Sequence, residues 1–396
     1  MKTKIPPRWL RAALLCTLAA GAACRAADAP RSAASITDFR IEDPALMKER
    51  AAQLDAAEAA LVRGDTEAAL AGFERAAGML HAPDTEMGLV RSQMQAGQYR
   101  RALAFAAHTA GAHLEAPAAS ALYAWLLRIG GQEAYARQLL DAAIKRSPGN
   151  DVLGATQRAF NTASSLASGA LLERPHRMAP HPLAHAGSSP VAPLARPLAS
   201  AVLLGDGRFA LASAGDLKAA RRLWVRSGMG QTTAAAIDRT FADSGLVLLA
   251  LERPLPAAAQ LAVAPRDPFA GSPGFVVDFA AGTDATPQWP MLHAGFFAGG
   301  AAAGAAGAAR ALGIATSTGS SGAAVFDAGG RWVGITLPPA ADSPAPRWLP
   351  LSQLRGWLGD LLQSPLASES AAPTRIGADE AYERSLPVVL QVLVEP

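Results

Sequence analysis

The chain has 396 residues, half of them hydrophobic and only 17% charged, which excludes global disorder and leaves room for two domains with sizeable cores. Its net charge of +3 comes from the N-terminus, where Lys2, Lys4, Arg8, Arg11 and Arg25 stand without an acid among the first 26 residues; without them the chain carries −2. A basic nucleic-acid footprint is therefore absent, and no nucleic-acid partner is expected.

Those basic residues precede and flank an apolar run from Ala12 to Ala23, shorter than a bilayer span, followed by small residues. The pattern predicts a signal peptide over 1–26 and an exported chain, periplasmic or secreted. Gly21-Ala22-Ala23-Cys24 resembles a lipobox without the usual Leu three residues before the Cys, so membrane attachment is expected only if Cys24 is lipidated. Cys16 and Cys24 are the two cysteines, and both precede the folded part. Neither a disulfide nor a thiolate metal site is expected, and no cofactor or metal is assigned.

Residues 45–148 repeat. Gly64, Gly97 and Gly131 are spaced by 33 and 34 residues. Five residues after each comes Ala69, Ala102 or Ala136; nine after comes Phe73, Ala106 or Leu140; twelve after comes Ala76, Thr109 or Ala143. A glycine turn between two antiparallel helices, with small residues at the close crossing and larger ones filling the gaps, produces this spacing. The pattern, closed by Pro148, resembles the tetratricopeptide repeat, which implies a stack of helical hairpins that presents a surface to a peptide or partner protein. The repeats are degenerate, since Arg137 stands where the first two units have Leu70 and Leu103. His81, His108 and His113 are read as repeat residues.

Residues 149–184 are expected to cap the stack and then form a linker rich in Pro and His. His176, His181 and His185 are spaced by five and four, and Pro175, Pro180 and Pro182 break any helix that would align them on a metal.

From 185 to 365 the period changes to short strands. Ala201–Leu204 runs into Gly205-Asp206-Gly207, a hairpin signal, and then into Arg208–Ala212. Leu223–Arg226, Gly245–Leu251, Pro273–Val277, Leu292–Phe297, Val325-Phe326 and Arg331–Leu337 are further strands. Short strands parted by Gly and Pro predict an all-β barrel or sandwich. Leu351–Leu362 reads as an amphipathic helix with Leu354, Trp357, Leu358 and Leu361 on one face. Ala298–Ala309 is a low-complexity Ala/Gly loop. Residues 366–396 are assigned to a C-terminal tail, with a helix over Ala378–Ser385 and an apolar strand over Val388–Val394.

Thr318-Gly-Ser-Ser-Gly322 runs into the apolar strand Ala323–Phe326. Such a turn exposes a serine hydroxyl and aims the amides of Gly319 and Ser321 into one pocket, as an oxyanion requires. The run GSSGAAVFDAGGRWVGIT resembles the nucleophile segment of trypsin-like serine proteases of the disulfide-free bacterial kind, with Ala323 in place of a second glycine. Trp348-Leu-Pro350 before the last helix fits the same family, and the resemblance spans about 175 residues. It implies a trypsin-like double β-barrel with Ser321 at the nucleophile position and Gly319 supplying an oxyanion amide.

Two further segments align and depart from the pattern. Phe209–Gly215 resembles the segment that ends in the general-base histidine, and Gly215 stands there. Asp243–Leu251 resembles the aspartate segment, and Gly245 stands there, with Asp243 two residues earlier. A shift of two keeps the strand face but moves the carboxylate roughly 7 Å. His293 is read as a strand residue, not a substitute base. Losing the base costs a serine nucleophile on the order of 10⁶ in rate. The expected protein is an α + β multidomain pseudoprotease: helical repeats followed by a double barrel that binds a peptide or partner protein in its cleft. The alternative is an active serine endopeptidase with Ser321 and an unconventional base.

Overall fold

A computed structural model of the chain describes residues 43–162, 187–256, 261–282, 287–301, 309–317, 320–340, 345–362 and 374–396. The expected signal peptide, Cys24, most of the linker with its three histidines, and Gly319 lie outside the described residues.

Seven helices come first: α1 (Pro44–Arg63), α2 (Thr66–Met79), α3 (Pro83–Gln95), α4 (Tyr99–Ala112), α5 (Pro117–Ile129), α6 (Glu133–Arg146) and α7 (Asp151–Thr162). They pair as three hairpins, and the repeat glycines make the turns with φ of 78°, 74° and 84° at Gly64, Gly97 and Gly131. The nine residues at the repeated offsets are all buried, so the sequence period marks the inward face of each second helix. Phe73 fills the gap left by Gly88, where a Cβ would lie 2.2 Å from the ring. Arg137 breaks the repeat for a local reason. It reaches α7, where its guanidinium donates to the Phe160 carbonyl and the Asn161 side chain.

Two closed six-stranded antiparallel barrels follow, which is the expected trypsin-like double β-barrel. The first barrel holds β1 (Arg196–Leu204), β2 (Phe209–Ser213), β3 (Arg222–Ser227), β4 (Thr232–Phe241) and β5 (Leu246–Leu251). The second holds β6 (Pro273–Asp278), β7 (Met291–Ala301), β8 (Arg310–Gly313), β9 (Ala324–Asp327), β10 (Trp332–Leu337) and β11 (Arg347–Pro350). Helix α8 (Leu351–Leu358) then crosses to the first barrel, where Trp357 stacks on Phe241 with ring centroids 5.6 Å apart. The expected helix to Leu362 ends earlier, and a 3-10 turn over Gly359–Leu362 completes it.

The sixth strand of the first barrel is the C-terminus. Helix α9 (Ala378–Ser385) leads into β12 (Val389–Glu395), which pairs with β1 on one side and β3 on the other. Residues 366–396, set apart as a tail in the sequence reading, thus contribute an integral barrel strand. Six of the seven residues of β12 are buried, because a strand inserted between two others in a closed barrel has no solvent edge.

Helix α9 also ties the repeats to the barrels. Tyr99 of α4 meets Tyr382 of α9 edge to face, with ring centroids 4.5 Å apart. The Tyr99 hydroxyl donates to the Leu126 carbonyl and the Tyr382 hydroxyl to the Pro290 carbonyl, both at 2.9 Å. At the rim, the Arg100 backbone N–H and guanidinium both donate to Glu383. Gly131 presses directly on the second barrel, and a Cβ there would lie 2.9 Å from the Leu292 carbonyl oxygen.

Burial pushes the Tyr99 and Tyr382 phenols well above the usual tyrosine range. A phenol raised on folding leaves stability undiminished below about pH 10, and stability falls as pH climbs above that value. Alkaline titration followed by phenolate absorbance is expected to show these two of the four tyrosines ionising only together with the loss of near-UV circular dichroism. Gly131→Ala combines a left-handed backbone with a collision against a backbone carbonyl. It is expected to cost at least about 2 kcal/mol in urea unfolding, whereas Gly149→Ala, with φ of 77° and nothing within 4 Å, costs about 1 kcal/mol.

Candidate functional site

The Ser321 turn is fixed by contacts between the barrels. Its carbonyl accepts from the Ser200 N–H of β1 at 2.8 Å, and the Ser200 hydroxyl accepts from the Phe279 N–H just past β6. Gly322 follows with φ of 77°, and a Cβ there would lie 2.2 Å from the Ser200 carbonyl oxygen and 3.0 Å from the Ser213 nitrogen. Only glycine permits this approach. On the other side, the Gly322 N–H donates to the Thr336 carbonyl and the Ala323 N–H to the Thr336 hydroxyl. The turn is therefore held at the junction of β1, β2, β9 and β10, with Ser321 itself half-buried.

The two glycines at the expected histidine and aspartate positions come together at the same end of the first barrel. Gly215 opens a 3-10 turn two residues after Ser213, and Gly245 ends another just before β5. Ser213 and Leu246 are cross-strand partners, and the Ala214 N–H donates to the Gly245 carbonyl at 2.7 Å. Both glycines are exposed, with φ of 25° and 67°, and neither has a foreign atom within 4 Å of a notional Cβ. Asp243 is exposed within the 3-10 turn over Ala242–Ser244. The strand starts only at Leu246, so Asp243 does not occupy the strand face that a two-residue shift would have preserved.

Among the described residues no imidazole hydrogen-bonds the Ser321 hydroxyl. Three of the four described histidines lie in the repeats. The fourth, His293 of β7, belongs to a separate polar cluster that the sequence reading missed. Its Nε2 lies 3.2 Å from Asp278 Oδ1 and 3.3 Å from Ser317 Oγ. Asp278 also accepts from the Ser317 N–H at 2.7 Å and the Ser317 hydroxyl at 2.6 Å. A Ser–His–Asp relay uses opposite ring nitrogens for base and orienter. Here one nitrogen faces both partners, and the serine hydroxyl donates its hydrogen bond directly to the carboxylate. The cluster is a clamp on the segment that leads into the Ser321 turn, and it continues through the Ser320 N–H, which donates to the Ser317 carbonyl. The signal in the sequence was Asp278 at the end of an apolar strand, a costly place for a carboxylate without partners.

The Ser213 and Ser320 hydroxyls are buried without a hydrogen-bond partner among the described residues. A cavity of about 370 Å³ opens on the second barrel between Phe297, Arg310 and Trp348, and none of Ser321, Gly215 and Gly245 borders it.

Asp278→Ala removes a fully buried carboxylate and strands the Ser317 donors. It is expected to cost about 2–4 kcal/mol by denaturant unfolding, whereas Asp243→Ala stays within about 0.5 kcal/mol.

No protein-family model matches the chain, and no curated protein matches it. Solved structures with a similar fold include the MamO protease domain from Magnetospirillum magneticum in its apo form, at 19% identity and a TM-score of 0.35, covering 44% of this chain and 94% of that one. The HtrA-type protease AlgW with a decapeptide is 17% identical with a TM-score of 0.35, over 41% of this chain and 51% of that one, so this chain spans about half of AlgW. The Rv3671c protease in its inactive form is 13% identical with a TM-score of 0.33, over 43% of this chain and 89% of that one.

Proposed function

We propose that the chain is an exported pseudoprotease, periplasmic or secreted, that uses a trypsin-like double barrel to bind a peptide or partner protein without cutting it. The observation that carries this reading is the pairing of Gly215 and Gly245 through the Ala214–Gly245 hydrogen bond, at the barrel end that faces the Ser321 turn. Neither glycine supplies a base or an orienter, and both hold a positive φ that glycine adopts without steric cost. A serine without a base is a poor nucleophile. Such a cleft holds a peptide by backbone and side-chain contacts but does not form an acyl-enzyme at a useful rate. The helical repeats, which contact the barrels through α9, supply a second binding surface for the same partner.

The test pairs chemistry with binding. The chain and its Ser321→Ala variant are incubated with a fluorophosphonate probe and with unfolded polypeptide substrates. Equal, background labelling and no cleavage by either protein are expected, while both retain the same affinity for a panel of extended peptides by fluorescence anisotropy. Labelling and turnover that vanish in Ser321→Ala would establish the active endopeptidase instead.

A further inference from the structure

The repeats contain a convergence of side chains that the barrel chemistry does not use. Glu86 lies in the first turns of α3 and is 2% exposed. Three histidines surround it. His81, in the corner between α2 and α3, places Nε2 2.5 Å from Glu86 Oε1. His113, which caps α4, places Nε2 3.5 Å from Glu86 Oε2. His108, one turn earlier on α4, places Nε2 3.8 Å from Glu86 Oε1. The ligand-type atoms of His81, Glu86 and His113 all lie within 4.8 Å of one another.

Proximity is not matched by hydrogen bonding. Both Glu86 oxygens and His113 Nε2 are buried and have no hydrogen-bond partner among the described residues. The distances are those of contact, but the angles do not aim an N–H at a lone pair. The arginines nearby are engaged elsewhere: Arg91 of the same helix pairs with Glu58, and Arg50 pairs with Asp84. Glu86 is thus a buried carboxylate that pairs with no arginine or lysine among the described residues and has three imidazoles against it. Such a group is costly unless something positive completes its surroundings.

We propose that His81, Glu86 and His113, with His108 as a fourth donor, bind a divalent transition metal, zinc foremost. The donor set is imidazole nitrogen and carboxylate oxygen without thiolate, which suits zinc and other divalent first-row metals. Tetrahedral bonds of 2.0–2.1 Å put ligand atoms about 3.3 Å apart. The His113–Glu86 and His108–Glu86 separations are already near that value. His81 and His108 have half-exposed side chains, so the roughly 0.8 Å by which His81 must move out from its 2.5 Å contact is a rearrangement at the surface. His113 Nδ1 faces Glu115 Oε1 at 3.4 Å, the outer carboxylate that typically orients a metal-bound imidazole. One carboxylate and neutral imidazoles leave a dication with a single excess charge, which Glu115 offsets. The metal would link the corner between the first two hairpins to the end of the second, joining neighbouring repeats.

The test uses the whole chain, stripped with chelator and titrated with zinc chloride by isothermal calorimetry. One zinc per chain with a submicromolar Kd is expected, with a melting temperature that rises by several degrees at saturating zinc. Glu86→Gln and His113→Ala should weaken binding at least about 100-fold, and Glu115→Ala about 10-fold. His81→Ala, at a half-exposed corner, keeps the fold by circular dichroism and should weaken binding at least about 10-fold. A joint alanine replacement of His176, His181 and His185 should leave binding intact. X-ray absorption of the loaded chain should show nitrogen and oxygen ligands near 2.0–2.1 Å and no sulfur near 2.3 Å. No binding, or binding unchanged in His81→Ala and Glu86→Gln, or binding lost only with the three linker histidines, would each overturn the proposal.

Discussion

Tyr99 and Tyr382 pack ring against ring where the second helical hairpin meets the C-terminal helix, and each hydroxyl is satisfied by a carbonyl of a different neighbour, Leu126 in the repeats and Pro290 before β7. This contact fixes where α9 sits, and α9 fixes where β12 enters the first barrel. Without β12 the first barrel has no partner for β1 and β3 on their facing edges, so two rows of unpaired backbone groups would open to solvent. The last strand of the chain therefore closes the first barrel, and its leading helix carries the repeats. Desolvation of the two phenols is offset by their hydrogen bonds and by the burial of two large rings. Repeats, first barrel and second barrel consequently meet on one short C-terminal segment.

That dependence also explains what the sequence showed and what it hid. The helical hairpins were legible because the glycine period and the buried offsets at Ala69, Phe73 and Ala76 repeat in register, and local packing is all that a hairpin stack needs. Most barrel strands were legible from short apolar runs between glycines and prolines. Two were not. β4 reads Thr-Thr-Ala-Ala-Ala-Ile with a mostly exposed second half, so it lacks an apolar signature. β8 is four residues long, and barrel closure rather than local propensity holds it in place. The role of Val389–Glu395 was hidden for a different reason. Its apolar character was visible, but its partners lie between 163 (Leu390–Ser227) and 198 (Arg196–Val394) residues away, and no local pattern encodes that pairing.

At the candidate site the sequence named positions that the fold brings together, but not their surroundings. Gly215, Gly245 and the Ser321 turn converge at one end of the first barrel because β2 and β5 are paired and Gly322 lies against Ser200 and Ser213. The Asp278–Ser317–His293 clamp required the fold, since its three members come from a strand end, a neighbouring strand and the loop before β9. The clamp holds the loop without any help from a catalytic base. The shape of the Ser321 turn therefore rests on Gly322, Ser200 and Asp278, which hold it through packing and charge.

The histidines of the repeats show the same logic in reverse. In the sequence His81 and His113 are 32 residues apart, and each stands at the end of the second helix of its hairpin. One hairpin length in a repeat stack is a single lateral step in space, so equivalent positions in successive units become neighbours. The period that made the fold readable is what brings two imidazoles to one carboxylate. Read residue by residue, neither histidine has a metal-binding spacing. Read through the repeat, they are adjacent, and Glu86 at the start of the intervening helix α3 sits between them with both oxygens buried and without a hydrogen bond among the described residues. A degenerate repeat thus acquires a specific polar site without a local motif.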